Sequence, residues 1–84
     1  MKELLKRLEE AEKRANEADA AWEQDPENEE LEKAFNKTYE AQWEAFNALA
    51  KEIQKQIGID EETARWMTTT KYRAKLKAII EKTA

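Results

Sequence analysis

One proline, Pro26, and one glycine, Gly58, are the only strong helix breakers in this 84-residue chain. Proline disfavours the α conformation in the residue before it and fits the first turn of a following helix, so Asp25-Pro26 closes one helix and opens another. Gly58 supplies the left-handed residue at which the second helix stops. The three stretches so delimited are written in helix formers: Ala, Glu, Lys, Arg and Leu make up 51 of the 84 residues, and valine does not occur. That composition belongs to long helices rather than sheets. The predicted fold class is all-α, an antiparallel helical hairpin plus a third helix forming a small three-helix bundle. Its helices are expected at about 2–24, 27–57 and 60–82 of a single domain, 1–84.

The first stretch places Leu4, Leu8, Ala11, Ala15, Ala18 and Trp22 at steps of three and four, the seam of an amphipathic helix. The second, Leu31 to Gly58, is the longest uninterrupted helical pattern and holds most of the large apolar side chains. Leu31, Phe35, Phe46, Leu49, Ile53 and Ile57 share a broad stripe, with Tyr39, Trp43 and Ala50 on one flank and Ala34, Ala41, Ala45 and Ala48 on the other. Gln42 falls among the apolar positions, where a half-buried amide fixes register. A short connection makes the hairpin antiparallel, and pairing positions that sum to about 52 sets Ala18 against Ala34, Ala11 against Ala41 and Leu4 against Ala48. Matched alanines permit a close helix approach, so Ala41→Leu is expected to overpack the seam by about 1–3 kcal/mol. Asp25 or Asn28 caps the second helix.

The third stretch opens on Asp60 as N-cap with Glu61 and Glu62 in the first turn. Its pattern is mixed. Tyr72, Leu76, Ile79 and Ile80 share a face that is expected to cover the bulky flank of the second helix. Met67, Ala74 and Ala78 fall roughly opposite, with Thr68-Thr69-Thr70 at the phase change. The expectation is one helix with a kink at the threonines, leaving Met67, Ala74 and Ala78 as an exposed apolar strip.

Chemistry is constrained by what is missing. With no His and no Cys, the usual general base near neutral pH, the Cys/His nucleophilic pair and the common zinc ligands are all lacking. A single glycine cannot build a glycine-rich phosphate cradle. Glu40/Glu44 and Glu27/Glu30 are carboxylate pairs, read here as solvated surface. The chain is therefore expected to be non-enzymatic, with no catalytic, cofactor-binding or metal-binding residues and no cofactor.

Charge bears on partners. Residues 1–62 carry nine basic and eighteen acidic groups, whereas residues 63–84 carry six basic and one acidic, within an overall charge of −4. The favoured reading is a protein–protein interaction module, acting as an adaptor, an assembly subunit or a surface-blocking regulator. Its candidate contact residues are Trp66, Met67, Arg73, Ala74, Lys77 and Trp43, because partly exposed tryptophan beside arginine is typical of binding hot spots. A core this small rarely supplies more than about 3–5 kcal/mol, which makes a homodimer a second form of protein partner. The alternatives are a nucleic-acid contact, with Trp66 and Tyr72 interleaved among Arg65, Lys71, Arg73, Lys75 and Lys77, or mimicry of a nucleic acid by the acidic hairpin. The opening residues Met1 to Arg7 lack an apolar h-region, and no apolar run is long enough for a bilayer. A cytoplasmic, membrane-free protein is expected.

Overall fold

In the computed structural model, which describes residues 1–83, the chain is helical, and no strand occurs among the described residues. Helix α1 spans Lys2–Gln24, α2 Glu29–Ile57, α3 Glu61–Thr68 and α4 Arg73–Thr83, with a short 3-10 turn at Thr70–Tyr72 before α4. The boundaries follow from local chemistry. Asn28 caps α2 by accepting from the backbone N–H groups of Glu30 at 3.0 Å and Leu31 at 3.4 Å. Glu29, Glu30 and Glu32 occupy the first turn of α2, where the positive end of the helix dipole favours acids. Gly58 adopts φ 76°, ψ 36° and returns its N–H to the Gln54 carbonyl, ending α2.

Helices α1 and α2 form a long hairpin, and the molecule measures 45 × 20 × 19 Å. That length is close to the span of α2 itself, since helical residues rise about 1.5 Å each. The core lies at one end. Its buried members are Leu5 and Leu8 of α1, Ala45, Leu49 and Ile53 of α2, Ala64 and Met67 of α3, and Leu76 and Ile80 of α4. Of the half-buried side chains packed around them, none comes from beyond Ala11 in α1 or from before Phe46 in α2. The connected end of the hairpin, around Asp25-Pro26, therefore projects past the core.

The expected single third helix is broken. Helix α3 stops at Thr68, and Thr69 turns extended with ψ 160°. The reason lies in the apolar pattern, because Met67 and Leu76 are nine residues apart and so roughly half a turn out of phase in a continuous helix. Both are buried in one core. The break at the threonines re-phases the chain and lets both face inward. Side-chain hydrogen bonds bracket the break: Thr68 Oγ1 donates to Ala64 O at 2.7 Å, Thr69 Oγ1 to Trp66 O at 2.7 Å, and Arg73 Nη2 to Thr68 O, at the end of α3, at 3.1 Å. Thr68 is fully buried.

Two packing expectations change with it. The flank of α2 bearing Trp43 and Ala50 is met by α3, through Arg65, and not by the face of α4. Helix α4 instead pairs with α1, Arg73 meeting Glu12 and Lys77 meeting Glu9. The alanine seam is also displaced. Leu8, Ala15, Ala45 and Leu49 are buried, whereas Ala34 and Ala41 are exposed. Ala11, half-buried, and Ala41, exposed, line a groove between α1 and α2. Burying a leucine removes far more apolar surface from water than burying an alanine, and the helix pair rotates to favour it.

Candidate functional site

Two rows of side chains leave the core and run outward along one side of the hairpin. The first is aromatic. Phe46, Trp43, Tyr39 and Phe35 step along α2 by three or four residues, and Trp22 of α1 closes the series. Successive ring centroids are 5.5, 6.1, 6.1 and 5.8 Å apart. The two inner pairs meet edge-on and the two outer pairs are stacked, geometries in which neighbouring quadrupoles attract. Its inner end is anchored, since the Arg65 guanidinium of α3 lies 5.5 Å from the Phe46 centroid and 5.9 Å from that of Trp43, and donates to Asn47 Oδ1 at 3.1 Å. Its middle is open, with Tyr39 46% and Trp43 41% exposed. A ladder of four contacts between large rings holds an apolar surface rigid at small entropic cost.

The second row is acidic and lies on α1. Glu9, Glu12, Asn16, Asp19 and Glu23 follow one another by three or four residues and so share a helix face. Helix α4 covers only the first two. Arg73 donates to Glu12 through Nη1 at 2.8 Å and Nη2 at 3.1 Å, and Lys77 Nζ lies 3.0 Å from Glu9 Oε2. Asp19 and Glu23, beyond the end of α4, carry no ion pair among the described residues. Asp19 is half-buried and Glu23 exposed.

The six residues singled out by sequence are dispersed. Trp43 belongs to the aromatic ladder. Trp66 is 55% exposed at the elbow between α3 and α4, its ring 4.8 Å from that of Tyr72. Met67 lies in the core, so the strip expected with Ala74 and Ala78 does not form; those two alanines are exposed on α4 without it. Arg73 and Lys77 are engaged by Glu12 and Glu9. The cations of the third stretch thus divide: Arg73 and Lys77 serve the fold, while Lys71 and Lys75 stay exposed, Lys75 lying 5.9 Å from the Tyr72 centroid. Sequence reading assigned Phe35 to the core and missed its stacking on Trp22. The signal present in the sequence was the spacing of aromatic residues 35, 39, 43 and 46.

No group of three or more acidic side chains among the described residues is placed to hold a metal ion, and no helix among them is long and apolar enough to cross a membrane. Compared with known proteins, the chain matches no family model, and no curated protein or solved structure shows significant similarity to it.

Proposed function

We propose that the chain is a non-enzymatic protein-interaction module whose docking face is the open side of the projecting hairpin. On this reading α1 and α2 form a three-helix bundle with α3 and α4 at the core end. The outer end lacks a third helix, and the partner supplies it. The observation that carries the reading is the ordered, half-exposed ladder of Phe35, Tyr39 and Trp43. Contiguous exposed aromatic surface is disfavoured in water unless something covers it, and aromatic side chains dominate the energetics of protein interfaces. An adaptor, an assembly subunit and a surface-blocking regulator would all use such a face.

A nucleic-acid contact is the second reading, favoured by the exposed Trp66 beside Tyr72, Lys71 and Lys75. It is the smaller surface, because Arg73 and Lys77 are already paired with acids of α1. The ladder itself is flanked by carboxylates, which repel a phosphate backbone.

A photo-crosslinking amino acid at Tyr39, and separately at Lys71, separates the two in an extract of cells that encode the protein. The docking reading expects a discrete, nuclease-resistant protein adduct from position 39 that disappears in the Trp43→Ser background. A nuclease-sensitive adduct from position 71, with none from position 39, would transfer the function to the elbow.

A further inference from the structure

The docking face described above has a charge pattern as well as an apolar one, and the pattern specifies its occupant. Resting on that docking reading, we propose that the occupant is a basic amphipathic helix of another protein, seated in line with α4 between the aromatic ladder and Asp19 and Glu23.

The contact of α4 with α1 shows how this face is used. Arg73 and Lys77, one turn apart on α4, meet Glu12 and Glu9 on α1, so α4 runs antiparallel to α1 with its cations on the acidic row. At the elbow the chain turns away, but both rows continue. The acids go on through Asp19 and Glu23, four residues apart and on one face, and the rings go on through Trp43, Tyr39 and Phe35 to Trp22. A helix laid there meets rings along one edge and carboxylates along the other. From Trp43 back to the start of α2 at Glu29 is about 21 Å, the length of about fourteen helical residues or four turns. Such a helix needs large apolar side chains at steps of three and four, with lysine or arginine one turn apart on the edge facing α1.

Charge also argues against a second copy of this chain as occupant. Two identical hairpins meeting through this face would bring Asp19, Glu23 and the exposed Glu32 of each against an equally acidic rim, desolvating like charges. A basic helix turns the same groups into cross-interface pairs.

The test uses a synthetic fourteen-residue peptide of leucine and lysine, with leucine at helical spacing, and its leucine/glutamate twin. Each is labelled and titrated with the full chain at physiological ionic strength, where charge effects beyond about 8 Å are screened. The expected result is at least tenfold tighter binding of the lysine peptide by the parent chain. Asp19→Lys with Glu23→Lys should reverse that preference. Glu17→Lys with Glu44→Lys, which changes net charge equally on exposed positions off this face, should not. Tyr39→Ser with Trp43→Ser should weaken both peptides tenfold or more; should that variant lose helicity, Tyr39→Ser alone, which leaves the charge unchanged, replaces it.

If binding needs Tyr39 and Trp43 but ignores the charge of residues 19 and 23, or if the off-face pair reverses the preference just as well, the basic occupant is wrong and the docking face stands. If binding ignores Tyr39 and Trp43, the docking reading falls with it. Sedimentation of the chain alone as a dimer that Tyr39→Glu dissociates would make a second copy the occupant and overturn the proposal.

Discussion

Arg73 and Glu12, 61 residues apart in sequence, are joined by two hydrogen bonds of 2.8 and 3.1 Å, and this pair fixes where α4 begins along the hairpin. The Arg73 side chain is 11% exposed and that of Glu12 19%, so each is largely withdrawn from water. Arg73 also holds the Thr68 carbonyl at the end of α3. One guanidinium thus ties the elbow to α1.

Removing it should be costly. Arg73→Ala leaves the Glu12 carboxylate without its cation and the Thr68 carbonyl without its donor, which is expected to destabilise the fold by about 2–4 kcal/mol. Arg73→Lys cannot reproduce the two-pronged contact and should recover less than half of that loss. Chemical denaturation of both variants, with Glu12→Gln to complete a double-mutant cycle, measures the coupling. By contrast, Lys77→Ala should change stability by no more than about 0.5 kcal/mol, because its partner Glu9 is well exposed.

The elbow is enforced by the core rather than by weak helix propensity at the threonines. Replacing Thr68, Thr69 and Thr70 by alanine raises local propensity by a few tenths of a kcal/mol per residue. It should nevertheless leave the break in place, since fusing α3 to α4 would turn either Met67 or Leu76 out of the core. Stability should fall by about 1–3 kcal/mol, reflecting the hole left by the fully buried Thr68. Backbone chemical shifts that are helical without interruption from residue 66 to residue 74, with an unchanged melt, would contradict this.

Ala41→Leu separates the displaced seam from the expected one. Ala41 is exposed beside a groove shared with Ala11, so the added carbons have open space. A stability change within about 0.5 kcal/mol is expected, the range of surface substitutions. A loss of 1 kcal/mol or more on denaturation would restore the alanine seam.

Acid should act partly through Asp60. The Thr63 hydroxyl, together with nearby backbone N–H groups, holds its carboxyl below the ordinary value of 3.8. A carboxyl whose pKa is lower folded than unfolded contributes stability that is complete above the unfolded value and lost as pH falls through the folded one. Parent and Asp60→Asn should therefore differ in melting temperature at pH 7, with the gap beginning to close as pH falls through the unfolded value and gone only below the lowered folded one. A difference that persists undiminished at pH 2 would show that the charge of Asp60 is not the cause.

The hairpin was legible because its punctuation is local. Asp25-Pro26, the Asn28 cap and Gly58 each act within a few residues, and α1 and the end of α2 fall where these residues set them. The elbow was marked by the clash of phase between Met67 and the Leu76 face, but sequence alone does not decide between a kinked helix with an exposed Met67 and a broken one with Met67 buried. Only the shared core decides it. The aromatic ladder, the proposed docking face, was hidden for a related reason. Phe35 and Tyr39 look like core and flank of a complete bundle until one knows that α3 reaches along the ladder only as far as Trp43, through Arg65. Arg73 and Lys77 look like partner contacts until α1 is placed beside them.

Amide hydrogen exchange with and without the leucine/lysine peptide tests the proposed third-helix position most directly. In the free protein, amides of residues 15–24 and 29–43 should exchange faster than those of residues 5–11 and 45–53, because the core cluster reaches only the latter two segments. Added peptide should slow exchange in the first two segments and leave α4 unchanged. Equal protection along the whole hairpin, or slowing confined to residues 66–77, would contradict it.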